Sequence, residues 1–142
     1  MMSNPSSSLV RQNPPRLWGI AYTTLWSADA VAWLVLGSAG LFAASLWVDR
    51  FGLSSTTTPY LRAIGVIFIG YALFQFWIGR AGQVPRWAYL LMSVESALWG
   101  AFFIAAPFLG IQMNDLGQAI SIGGGISLLL MAELWYLARQ HS

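Results

Sequence analysis

A chain of 142 residues with 57% hydrophobic and only 8% charged side chains is one domain, and it carries more apolar surface than a water-soluble domain of that length can hide. Its net charge of +2 arises from seven arginines scattered along the chain against five acids, so no basic patch points to nucleic acid. The complete lack of cysteine excludes disulfides, thiolate metal sites and cysteine nucleophiles.

Residues 1–16, MMSNPSSSLVRQNPPR, are polar, rich in Ser, Asn and Pro, and lack an apolar face, which predicts a disordered tail. A transmembrane domain over 17–139 follows. The apolar run from Leu17 to Val48 is too long for a signal-peptide core and reads as an uncleaved first helix over about 17–48, its LWGIAYTTLW start lying along the interface. DRFGLSSTTTP is a turn. Thr58 as a capping hydroxyl and Pro59 at the first helical position begin a second helix over about 59–79. After AGQVP, Pro85 opens a third helix over about 85–109 that Pro107 ends or kinks. GIQMNDLG makes a second loop, with Asn114 or Asp115 capping a fourth helix over about 116–138.

The second and third runs are each about 20 residues, the length an α-helix needs to cross hydrocarbon. A mean hydropathy of +0.62 and eight tryptophans fit a multi-pass membrane protein with aromatic residues near its interfaces. Four crossings place both termini on one side. Arg11, Arg16, Arg80, Arg86 and Arg139 then share that side, against Arg50 and Arg62 on the other, which predicts cytoplasmic termini in a bacterial cytoplasmic membrane. The predicted fold class is all-α: a polytopic membrane protein, an up-down four-transmembrane-helix bundle. Its expected partners are the lipid bilayer and, beyond that, a second copy or other membrane proteins.

Small residues suggest how such a bundle packs. Gly37 and Gly40, Gly65 and Gly70, and the run Gly123–Gly124–Gly125 allow backbones to approach, with Ser121 and Gly125 four apart. A dimer contact or a glycine-loosened fourth helix is the other use for that run.

Four strongly polar side chains fall within the spans, one per helix: Asp29, Gln75, Glu95 and Glu133. Counted along a helix at 1.5 Å per residue, Gln75 is roughly 7 Å from Arg80, Glu95 roughly 13 Å from Arg86 and Glu133 roughly 9 Å from Arg139. Asp29 lies roughly 20 Å from Arg16 on the same count. All four are therefore expected in one half of the bundle, in a cluster where neighbouring carboxylates share a proton more readily than both ionise. Such a cluster either holds the helices in register through hydrogen bonds or forms a proton or cation site. Tyr22, Trp26, Asp29 and Trp33, at spacings of three and four, share one helix face, and Trp99 stands one turn from Glu95. A carboxylate flanked by indoles can hold a cationic or flat aromatic ligand, while the same aromatics also serve as packing and interface anchors.

No catalytic set can be assembled. The one histidine, His141, stands next to the last residue, so neither a Ser-His-Asp arrangement nor Glu-x-x-His metal pairs are available, and no cofactor or metal is expected.

The combination of LRAIG entering the second helix, an R…PRW turn and ESALWG in the third resembles small four-helix integral membrane proteins of bacteria that carry no assigned activity. The resemblance spans roughly residues 20–137 and implies a four-helix bundle, with no functional residues to carry over. In that pattern the third-helix acid is commonly Asp, where Glu95 stands here. The chain is also similar to small multidrug transporters in its four short helices and an acid in the first, Asp29, but shares no further motif with them. The function expected is a non-enzymatic structural or accessory membrane subunit. The alternative is a proton-coupled small-molecule transporter or exporter using the intramembrane carboxylates. A closed bundle with its acids bonded to one another marks the first, and a cavity reaching the acids marks the second.

Overall fold

The computed structural model describes residues 16–17, 20–82 and 84–141. Apart from Arg16, the tail expected over 1–16 lies outside the described residues. The described residues form five α-helices: α1 Tyr22–Phe42, α2 Ala44–Phe51, α3 Thr58–Gly79, α4 Arg86–Ala105 and α5 Asp115–His141. Two residues of antiparallel pairing, β1 Arg16–Leu17 with β2 Ile20–Ala21, precede α1. The spans Tyr22–Phe42, Ser55–Gly79, Arg86–Leu109 and Asp115–His141 are long and apolar enough to cross a membrane.

Where one helix was expected over 17–48, the described residues form the strand pair, α1 and the short α2. A helix over that whole run would measure roughly 48 Å against a hydrocarbon thickness of about 30 Å, so the chain must turn somewhere. It does so at Ala43, whose φ of −113° and ψ of 21° leave the helical region. The Trp47 indole donates back to the Ala39 carbonyl at 3.2 Å and holds α2 against the end of α1. Gly52, at φ 64°, closes α2 in the left-handed conformation that glycine adopts at no steric cost.

The start of α3 also differs from the expectation. Ser54, not Thr58, supplies the capping oxygen, accepting from the Thr56 amide at 3.4 Å, and a 3-10 turn over Ser55–Thr57 feeds into α3. Pro59 stands in the first turn of α3 as expected. Pro107 falls just beyond α4, inside a 3-10 turn over Ala106–Leu109. Asn114 is the cap of α5: its Oδ1 accepts from the Gly117 amide at 2.8 Å.

The four long helices are arranged as two tight pairs, α1 with α3 and α4 with α5. Each pair crosses glycine on glycine. A Cβ on Gly37 would stand 2.8 Å from the Gly65 carbonyl oxygen, and one on Gly65 would stand 2.6 Å from that of Gly37. In the second pair a Cβ on Gly100 or Gly125 would meet the other's carbonyl oxygen at 2.8 and 2.7 Å. No side chain fits there, so the backbones themselves make the van der Waals contact that associates helices in lipid. Ser121 and Ser93 reinforce the second pair, donating to the carbonyls of Phe103 (2.6 Å) and Ala132 (2.8 Å). Gly70, Gly123 and Gly124 meet no neighbour within 4 Å, so only Gly125 of the expected glycine run packs a helix.

Between the pairs, large side chains replace close backbone approach. Trp26 packs edge-on against Tyr89 and Trp135, with ring centroids 5.5 and 5.6 Å apart, and Trp99 does the same against Phe68 at 5.0 Å. At the end holding α2 and the α4–α5 connection, here the loop end, the pairs are tied by Asn114. Its amide donates to the Phe51 carbonyl at 2.8 Å and its side-chain Nδ2 to the Arg50 carbonyl at 2.9 Å. The opposite end holds the start of α1, the α3–α4 turn with Arg80 and Arg86, and the end of α5. Outward faces are mostly apolar along the bundle. Val35, Leu36, Leu73, Leu98 and Leu130 are all more than half exposed, a surface compatible with lipid and not with water. Trp77 and Trp87 are exposed beside the arginine turn, at the level where amphipathic rings sit at a membrane interface.

Candidate functional site

Three of the four polar residues expected to cluster do lie inside the bundle. Asp29, Gln75 and Glu95 are 6%, 0% and 7% exposed. Glu133 is exposed, on the outer side of α5. The inner face of α5 is set by Gly117, Ser121, Gly125, Ala132 and Trp135, all buried. At 3.6 residues per turn Glu133 stands roughly 80° round from Gly125, which takes it off that face. It is therefore no member of an inward cluster.

Asp29 is well partnered. One of its oxygens, Oδ2, accepts from the Gln75 side-chain amide at 2.7 Å and from the Trp33 indole, one turn along α1, at 3.2 Å. Trp26, one turn earlier, donates instead to the backbone carbonyl of Gln75 at 2.8 Å. The face Tyr22, Trp26, Asp29, Trp33 thus docks α1 onto α3, and its three aromatic residues are fully buried packing side chains rather than interface anchors. The indole N–H of Trp135 lies on the Asp29 side of the cluster without reaching hydrogen-bond geometry to any acceptor.

Glu95 is in the opposite condition. Neither of its oxygens has a hydrogen-bond partner. Gln75 Oε1, the Ser96 hydroxyl and the Trp135 indole N–H are buried and unpartnered as well. Buried polar groups are nearly always paired, because each unmet one costs about 1–3 kcal/mol. A group of them around two carboxylates, inside an otherwise apolar bundle, is the chemical singularity of this molecule. The sequence has no lysine, and its arginines stand at or beyond helix ends or, for Arg62, within a turn of one, so no cation is built in beside the acids.

Glu95 also lines a cleft of about 450 Å³ between α3 and α4. Tyr71 and Phe74 form one wall, and Met92, Glu95 and Trp99 the other. Its rim is Leu91, Val94 and Leu98, all on the exposed apolar surface, so its mouth opens toward lipid. Trp99 donates to the Tyr71 hydroxyl at 3.3 Å and so fixes the two rings relative to each other. Of the aromatic neighbours expected from spacing, Trp99 borders this cleft while Trp26 and Trp33 stand on the Asp29 side. Tyr71, Phe74, Ser96 and Trp135 had no sequence signal of their own, although Tyr71 and Gln75 are one turn apart on α3. Among the described residues no group of three His, Cys, Asp or Glu is placed to hold a metal ion.

The fold and this site define a small membrane-spanning helical bundle with carboxylates in its interior. Comparison with protein-family models, curated proteins and solved structures finds no match for the chain.

Proposed function

We propose that this bundle is a proton-coupled small-molecule transporter of a bacterial cytoplasmic membrane, non-enzymatic, in which Glu95 binds either a proton or cargo. The observation that carries this reading is the Glu95 carboxylate itself, buried, without a hydrogen-bond partner, and lining a cleft. A role limited to holding helices together accounts for Asp29, whose bonds join α1 to α3. It does not account for Glu95, which makes no such bond while a carboxylate at that depth costs about 2.5–3.5 kcal/mol to insert. Ionisable residues that face the interior of a membrane bundle mark ion and substrate paths. The five-to-two arginine distribution supports cytoplasmic termini, which puts the Arg80–Arg86 turn inside the cell.

The test is a pH gradient across vesicles reconstituted with the protein and loaded with a fluorescent pH indicator. A panel of small organic cations, anions and neutral molecules is added in turn. At least one should dissipate the gradient faster than in empty vesicles, and Glu95→Gln should remove that effect while keeping the fold. A gradient that decays identically with wild type, Glu95→Gln and no protein, across the panel, overturns the assignment.

A further inference from the structure

Resting on the transport reading, we propose that the α3–α4 cleft takes a lipophilic organic monocation, its charge against Glu95 and its apolar body among Tyr71, Phe74 and Trp99. Each property of the cleft selects for part of that description. The carboxylate is more than nine-tenths buried and unpartnered, so a positive ligand supplies the counter-charge that the chain lacks. Only one carboxylate is present, and it stands among apolar walls, which favours a single charge. A divalent metal ion would want about six oxygen ligands, which this lining cannot supply. The indole N–H of Trp99 is already engaged by Tyr71, so π surface is what the indole has left to offer, and π faces attract cations. A volume of about 450 Å³ lies within the usual range for drug-sized ligands. The mouth opens between Leu91, Val94 and Leu98, so a ligand that dissolves in the bilayer can enter sideways.

Glu95 lies roughly 13 Å along α4 from Arg86, deeper than a lipid headgroup sits. That depth favours a freely partitioning cation over the ammonium group of a phospholipid. Binding is then an exchange. Where Glu95 carries a proton, that proton leaves to water as the cation arrives, and the net charge of the site is unchanged. Of the titrating groups inside the bundle, Asp29 stands on α1, bonded to Gln75 and Trp33, and Tyr71 of α3 shares the cleft. On α5, Glu133 is exposed.

The probe is tetraphenylphosphonium, with tetraphenylborate as an anion of the same shape, titrated calorimetrically into purified protein in a non-ionic detergent. The phosphonium should bind, the borate should not, and binding should weaken as the pH is lowered. Glu95→Gln should lower affinity about 30-fold or more and abolish the pH dependence, since a charge loses its buried partner. Trp99→Leu should weaken binding by about three- to tenfold. Thermal unfolding of each variant checks the fold, and Glu95→Asp, which keeps the charge, should restore most of the binding. Dihexanoyl phosphatidylcholine should not displace the phosphonium. Equal binding of both ions, no binding of the phosphonium, unchanged affinity in Glu95→Gln, or displacement by the phospholipid each overturns the inference. The vesicle experiment separates the two claims. Gradient dissipation by a neutral or anionic compound, with no phosphonium binding, leaves transport standing and removes the cationic substrate. Phosphonium binding without any gradient dissipation does the reverse.

Discussion

The glycine crossing of α4 and α5 can be tested one methyl group at a time. At Gly125 a new Cβ would stand 2.7 Å from the Gly100 carbonyl oxygen and 2.6 Å from Ile104 Cγ1, whereas at Gly124 nothing lies within 4 Å. Ordinary contact begins near 3.4 Å, and the obstructing oxygen belongs to a backbone held in its own helix, so relief requires the two helices to part. Separation forfeits dispersion along the whole pair, and overpacking of this kind costs about 1–3 kcal/mol. Alanine is also a better helix former than glycine by about 1 kcal/mol, a gain both positions share. The difference between Gly125→Ala and Gly124→Ala therefore isolates the packing cost. Unfolding by sodium dodecyl sulfate in mixed micelles should place Gly125→Ala about 1–3 kcal/mol below Gly124→Ala. Gly124→Leu should be tolerated as well. Coincident unfolding midpoints for the two alanine variants would refute the close crossing.

Asp29→Asn keeps an acceptor for the Gln75 amide and should cost little, whereas Asp29→Leu strands that buried amide and should cost about 1–3 kcal/mol in the same unfolding assay. Asn114→Ala removes the α5 cap together with the side-chain bond to the Arg50 carbonyl, while the backbone bond to Phe51 stays, so stability should fall by about 1–2 kcal/mol, with faster hydrogen exchange at Gly117 as the local readout. Cysteines introduced at Gly82 and His141 should react with an impermeant thiol reagent from one side of the membrane, and one at Ser55 from the other. Labelling of all three from the same side would rule out four crossings.

The four spans were legible because membrane insertion depends on length and hydropathy, both of which can be counted along a chain. A cap at Asn114 or Asp115 was legible for a similar reason, since capping needs a particular kind of side chain at a particular place, and Asn114 is the one that serves. Which face of each helix turns inward was harder to read. In lipid the outside is as apolar as the inside, so hydropathy carries no inward direction. That is why Glu133, apolar-flanked and at a suitable depth, looked like a partner of Asp29 and Glu95 and is not one. A better guide was present in the small residues. Gly117, Ser121 and Gly125 repeat every four positions on α5 and trace its buried stripe, with Ala132 and Trp135 continuing it. Gln75 is on the corresponding stripe of α3, with Gly65, Phe68 and Ala72. The turn at Ala43 had no local signal, because alanine breaks nothing. Only the excess length of the run announced it. The cleft had no linear signature at all, for its walls come from two helices and its shape depends on how far apart they stand.

The tie made by Asn114 joins the two helix pairs at one end of the molecule, and the α3–α4 turn, with the packed rings of Trp26, Tyr89 and Trp135, joins them toward the other. Mechanically this is a frame fastened toward both ends. Such a frame gives most freely between its fastenings, and Glu95, roughly 13 Å along α4 from the arginine turn, stands in that middle stretch together with the cleft it lines.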